Sequence, residues 1–234
     1  MKVGIFGDSY ADENIHKKEA NYKSWVEILR EKYYPKLTCY GEAGSSLYFS
    51  YNKFMDNHNK YDKIIFVTTT YGRLTIPSYI KFLDHPDSYK MYHINSVETA
   101  ESHLVKPGVM TPQGILATKA SIDYYKYLRD PVYDMRMHHL MKDSIKNIRP
   151  DAVLVETLQP GLSDISYYEF SPSGGRPPEL WQYHDFRMCH LSKRNNEILA
   201  DKMFEWSNGA PVHIDVKDFE VPSREELFRL LVKQ

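Results

Sequence analysis

The chain has 234 residues, of which 42% are hydrophobic and 26% charged, proportions that build a folded core and exclude a disordered chain. Its 30 basic residues are matched by 31 acidic ones, and a formal net charge of -1 gives no global field to hold nucleic acid. Cys39 and Cys189 cannot staple so long a chain and lack metal-knuckle spacing, the usage of a reduced, cytoplasmic protein. The opening MKVGIFGDSY is too short in apolar residues for a signal peptide, and nothing is long and apolar enough to span a membrane.

Residues 2–6 form a short apolar run closed by Gly7, a buried strand that delivers Asp8 and Ser9 at its carboxyl end. Ser24 is placed to cap a helix carrying Trp25, Val26, Ile28 and Leu29. A second strand over 37–40 runs into Gly41-Glu42-Ala43-Gly44-Ser45-Ser46, and Leu47, Tyr48, Tyr51, Phe54 and Met55 then recur at helical spacing. Residues 63–69 make the strongest strand, closed by Tyr71-Gly72. Strands alternating with helices in this way predict a parallel sheet within an α/β fold.

Between 73 and 112 the periodicity breaks down around Pro77, Pro86 and Pro107, so this stretch reads as an irregular insertion in one domain spanning 1–234, lying beside the carboxyl ends of the strands. Thr111-Pro112 opens a helix through Ile115, Leu116, Ala120, Ile122 and Tyr125. Asp130-Pro131 opens another, with Met135, Leu140, Met141, Ile145 and Ile148 as its apolar positions. Residues 151–156 are a fourth strand, followed by a Pro-, Gly- and Ser-rich connection over 159–178. Ser192 caps an amphipathic helix beginning just after His190, residues 210–214 suggest a short edge strand, and Ser223 with Glu226 has capping-box spacing for a terminal helix.

Ser9 falls in the crevice above the strands, where open α/β sheets place ligands, and is a candidate nucleophile. A serine hydroxyl needs a base as it attacks; His190 is the candidate, and Asp185 is able to orient its other ring nitrogen. Gly44 lies in the turn after the second strand, where a residue without Cβ lets a backbone N–H approach a developing oxyanion, and the Ser9 N–H is a second donor. Asp8 reads as structural, ordering the turn through an Asx interaction. The ten histidines form no HExxH arrangement or three-ligand cluster, and GIFGDS lacks both dinucleotide glycine spacing and a Walker lysine, so neither metal nor cofactor is expected.

Gly7-Asp8-Ser9-Tyr10, Gly44 in GEAGSS, and Asp185 with His190 in DFRMCHLSKRNNEILA together resemble the GDSL-like, or SGNH, hydrolase family across most of the chain. The resemblance implies a flavodoxin-like three-layer α/β/α sandwich and hydrolysis of acyl esters, with Ser9 as nucleophile, His190 as base, Asp185 as orienting acid, and Ser9 and Gly44 in the oxyanion hole. Two departures stand out. The acid lies five residues before the histidine rather than the family's three, and the third block, Val67-Thr68-Thr69-Thr70-Tyr71-Gly72-Arg73, has no asparagine. Thr70 or Arg73 is then the candidate replacement donor, and Arg73, Tyr10, Tyr71 and Trp181 are candidate substrate-binding residues. The expected partner is a small-molecule acyl ester or acylated carbohydrate, not nucleic acid or a membrane. The divergent block also admits a second expectation, a non-catalytic carbohydrate- or small-ligand-binding or assembly protein on the same fold.

Overall fold

The computed structural model describes residues 1–13, 22–76, 92–94, 97–104, 112–157 and 191–220. Its centre is a four-stranded sheet of β1 (Val3–Gly7), β2 (Leu37–Gly41), β3 (Lys63–Val67) and β6 (Val153–Val155), in the order β2–β1–β3–β6 and parallel throughout. This is the flavodoxin-like winding, in which the order reverses beside β1 and opens a crevice at the strands' carboxyl ends. All four strands coincide with the apolar runs of the sequence.

The two-residue period of the strands divides the core into two layers. Val3, Ile5, Ile65, Val67, Val153 and Val155 pack on one face against α1 (Trp25–Lys32) and α6 (Lys193–Ser207), which contribute Trp25, Leu29, Leu199 and Met203. Phe6, Ile64, Phe66 and Ala152 pack on the other against Leu47 and Phe54 of α2 (Leu47–Asn57) and Ile145 of α5 (Pro131–Ile148). The chain is therefore a three-layer α/β/α sandwich. Among the described residues no helix is long and apolar enough to cross a membrane.

Polar caps fix where these helices begin. Ser24 closes a capping box with Glu27, Ser46 caps α2 through the N–H of Phe49, and Ser192 caps α6 through the N–H of Asn195. Asp130 accepts from the N–H of Val132 at 2.9 Å, with Pro131 in the first turn of α5.

Parts of the sequence behave differently from their local pattern. The 73–112 stretch holds an antiparallel pair, β4 (Leu74–Ile76) with β5 (Tyr92–Ile94), and then α3 (Val97–Leu104). Its β-branched and aromatic triplets suit a strand pair despite the prolines between them. α4 (Pro112–Asp123) ends in a π-helical turn, Tyr124–Leu128. Residues 210–214 form no strand: the N–H groups of Gly209 and Ala210 close onto Trp206 and Glu205, and Pro211 has no N–H for a ladder. Met135 and Leu140 are exposed, and the buried residues of α5 are His138 and Ile145. The 159–178 connection and the helix expected from Ser223 lie outside the described residues.

One buried side chain ties the starts of α1 and α6 together. Asn196 Oδ1 accepts from the Trp25 N–H at 2.8 Å, while its Nδ2 donates to the carbonyls of Leu191 (3.1 Å) and Ser192 (2.9 Å). Asn196→Ala strands the buried Trp25 donor, and we expect a stability loss of about 1–3 kcal/mol in urea unfolding. An unchanged midpoint would show that this link is dispensable.

Candidate active site

At the end of β1 the chain turns sharply, with the Ala11 N–H donating to the Asp8 carbonyl at 2.9 Å and the Tyr10 N–H to Asp8 Oδ1 at 3.1 Å. The second bond is the Asx interaction that the sequence suggests. Gly41, beside this turn on β2, is a close-approach glycine, since a Cβ there would overlap the Ala11 backbone.

The Asp8 side chain is 1% exposed, so its charge needs compensation from protein. Its Oδ2 accepts from Thr69 Oγ1 at 2.6 Å and from Arg73 Nη1 at 3.0 Å, both from the segment after β3. Arg73 Nη1 also reaches the Ser45 carbonyl at 3.4 Å, and Ser45 Oγ donates to the Gly7 carbonyl at 3.2 Å. The loops that follow β1, β2 and β3 are thus joined through one carboxylate and one guanidinium. Ser9 projects from this framework half-buried, and its hydroxyl has no hydrogen-bond partner among the described residues.

Gly44 has φ of 79° in a turn closed by the Ser45 N–H on the Glu42 carbonyl at 3.1 Å, a conformation that favours glycine. Thr70 is half-buried, with no hydrogen-bond partner among the described residues. Thr70, Tyr71 and Arg73, together with Tyr133 and His138 of α5, are among the residues lining a cleft of about 270 Å³.

Ser9, Tyr10, Gly44, Thr70, Tyr71 and Arg73 therefore all lie in segments that leave the carboxyl ends of β1, β2 and β3. Asp185, His190 and Trp181 lie outside the described residues. The residue after His190 is described: the Leu191 carbonyl accepts from Tyr22 Oη at 3.0 Å and from Asn196, which also holds Trp25, and Trp25 Nε1 donates to the Tyr10 carbonyl. A short chain of contacts so runs from Leu191 to the Ser9 turn.

His138 is a site residue that the sequence reading missed. It is 7% exposed, and its Nδ1 has no partner among the described residues. Burial, assisted by the charge of Lys142, holds its pKa down to about 4 from the usual 6.5. Its signal was periodicity, since 138 shares a helical stripe with Met141 and Ile145. Among the described residues no group of three His, Cys, Asp or Glu side chains is arranged to hold a metal ion.

No family model and no curated protein matches the chain. Solved structures similar to it include an acetyl xylan esterase, at 13% identity and a TM-score of 0.35, covering 88% of this chain and 98% of that one. A protein described as lipolytic, of the G-D-S-L family, from Desulfitobacterium hafniense is 12% identical with a TM-score of 0.37, at 88% and 98% coverage. A lipase/acylhydrolase from Enterococcus faecalis is 13% identical with a TM-score of 0.34, at 88% and 95% coverage. At such scores the fold class rests on the parallel β2–β1–β3–β6 order.

Two outcomes follow from these environments. Arg73→Met leaves the Asp8 charge buried without its cation, and we expect a loss of about 3–5 kcal/mol in urea unfolding, partly recovered by adding Asp8→Asn. A loss below about 1 kcal/mol would class the pair with exposed salt bridges. His138 has a folded pKa below its unfolded one, so its contribution to stability is complete above pH 6.5 and is lost as the pH falls toward about 4. His138→Phe should flatten the stability profile across that window by up to one proton; profiles that stay parallel would refute the buried neutral imidazole.

Proposed function

We propose that the chain is a serine hydrolase that cleaves small O-acyl esters, including acetyl esters and O-acylated carbohydrates, through an acyl-enzyme on Ser9 and without a cofactor. The observation that carries this reading is the division of labour within Gly7-Asp8-Ser9. Asp8 is engaged in holding the turn, while the adjacent, half-buried Ser9 hydroxyl has no hydrogen-bond partner among the described residues. The esterase and acylhydrolase descriptions of the similar structures agree with it without adding weight.

In this mechanism Ser9 Oγ attacks the acyl carbon as His190 removes its proton, with Asp185 holding the imidazole in the tautomer that leaves one nitrogen free. The hydrogen-bonded linkage of Leu191 through Asn196 and Trp25 to the Tyr10 carbonyl supports His190 in that role. The oxyanion is held by the N–H groups of Ser9 and Gly44. His190 then gives its proton to the departing alcohol oxygen, the ester C–O bond breaks, and the acyl group remains on Ser9. Water attacks that ester with His190 again as base, and proton return to Ser9 Oγ releases the carboxylic acid.

Thr70 is the better replacement for the missing asparagine. Arg73 Nη1 is engaged with Asp8 and Ser45, and its charge is already neutralised, whereas the Thr70 hydroxyl has no partner among the described residues. Tyr10, Tyr71, Arg73 and Trp181 are assigned to substrate contact, and the partner is a small-molecule ester in the cytoplasm, not nucleic acid or a membrane. Labelling by a serine-directed fluorophosphonate, read by intact mass, should add one adduct to the wild type and none to Ser9→Ala. Thr70→Val should lower kcat about 100-fold, the effect of one oxyanion donor. Labelling that persists in Ser9→Ala, or none in the wild type, would overturn the mechanism; specific sugar binding without turnover would then favour a binding protein.

A further inference from the structure

The outward face of α5 carries side chains that the fold does not use. The buried residues of this 18-residue helix are His138 and Ile145, and Met137, His138 and Met141 line the cleft described above. At 3.6 residues per turn the other side of the helix is occupied by Val132, Met135, Arg136, His139, Leu140 and Asp143, a stripe spaced by three and four residues, and all six are exposed. Val132, Met135 and Leu140 leave 50%, 41% and 60% of their surface to solvent. A single exposed apolar side chain is ordinary, but three on one helical stripe make a patch of the kind that a partner covers.

The charges of α5 sort by face. Asp134 is paired with Arg129 at 2.9 Å, Lys142 with Glu156, and Lys146 donates to the carbonyls of Ala152 at 2.7 Å and Pro150 at 3.2 Å. Arg136 and Asp143, both on the outward stripe, have no partner among the described residues. They cannot satisfy each other within one chain, because two helical turns, about 10.5 Å along the axis, separate them.

A second copy of the same helix satisfies both. In an antiparallel pair of helices related by a two-fold axis, positions equidistant from the axis face each other. An axis passing between residues 139 and 140 therefore sets Arg136 of each copy against Asp143 of the other, so that two charges unpaired in each chain become two ion pairs. The same register brings Leu140 of one copy beside Leu140 of the other, next to the axis, with Val132 and Met135 extending the apolar contact toward the start of each helix. A lipid surface would cover the apolar side chains but would not match one positive and one negative charge two turns apart. Self-complementary charge thus selects a second copy of this chain as the occupant.

We propose that the outward face of α5 is a homodimer interface, in which two α5 helices pack antiparallel and Arg136 of each chain pairs with Asp143 of the other. The interface leaves the cleft residues Met137, His138 and Met141 on the far side of the helix, and it does not depend on the hydrolase reading.

Sedimentation equilibrium of the wild type should show a dimer with a dissociation constant in the micromolar range, as suits a contact confined to one helix face. Arg136→Asp and Asp143→Arg each turn both cross-pairs into like-charge contacts, and each should raise that constant at least about tenfold. The double exchange Arg136→Asp/Asp143→Arg restores opposite charges across the axis and should bring the constant back to within about threefold of the wild type. An equimolar mixture of the two single variants also sets opposite charges against each other and should form a heterodimer of similar affinity. Because the double exchange carries both substitutions, its recovery shows that the single variants lose the contact and not the fold. A wild type that stays monomeric at about 1 mM would overturn the interface. So would a dimer indifferent to the single exchanges, a double exchange as weak as either single one, or a monomer that floats with phosphatidylcholine vesicles, which would give the apolar stripe to lipid.

Discussion

A carboxylate buried at the end of a strand can persist only where the protein supplies charge and hydrogen bonds in place of water. Asp8 meets that condition by drawing on two stretches of chain: the Tyr10 N–H of its own turn, and the Thr69 hydroxyl and Arg73 guanidinium that bracket Thr70 in the segment after β3. Arg73 in turn reaches the Ser45 carbonyl in the loop after β2. Each loop would otherwise be an independent surface excursion. Compensating one charge fixes all of them against one another, and Ser9, Gly44 and Thr70 are carried on the loops so fixed.

The same edge of the sheet has two flanks with different chemistry. On the α1 and α6 side, Asn196 and Trp25 form a chain of direct hydrogen bonds that links the Leu191 carbonyl, after His190, to the Tyr10 carbonyl of the serine turn. Trp25 and Asn196 are buried, and hydrogen bonds within such a site give rigidity. On the α2 and α5 side, tyrosines, methionines and one buried histidine surround open space. Under the proposed function the first flank positions the base, so that preorganisation comes from the α1 and α6 layer of the sandwich.

Long apolar runs and turn residues made the sheet and its main helices readable in the sequence, because a strand buried on both faces needs little beyond its own composition to be recognised. Ser24, Ser192 and Asp130 were readable as caps because capping is local. The β4–β5 pair was hidden by prolines that dominate the surrounding pattern, although the strand triplets themselves are ordinary. The edge strand expected over 210–214 failed because the end of α6 claims the N–H groups of Gly209 and Ala210. Asp8 with Arg73 was not legible, since the partners are 65 residues apart and either alone resembles a surface charge. His138 was obscured by its neighbour His139; the stripe read for α5 holds at Met141, Ile145 and Ile148 and fails at the exposed Met135 and Leu140.

The most direct measurement of the central claim is a crystal structure of the protein carrying a covalent phosphonate on Ser9, in which the phosphoryl oxygen marks the oxyanion position. The account places that oxygen about 2.7–3.1 Å from the N–H groups of Ser9 and Gly44 and from Thr70 Oγ1, with Arg73 still paired to Asp8. A phosphoryl oxygen turned away from Gly44, or an Arg73 released from Asp8 to bind it, would contradict the view that the buried ion pair holds the serine turn while Thr70 completes the oxyanion hole.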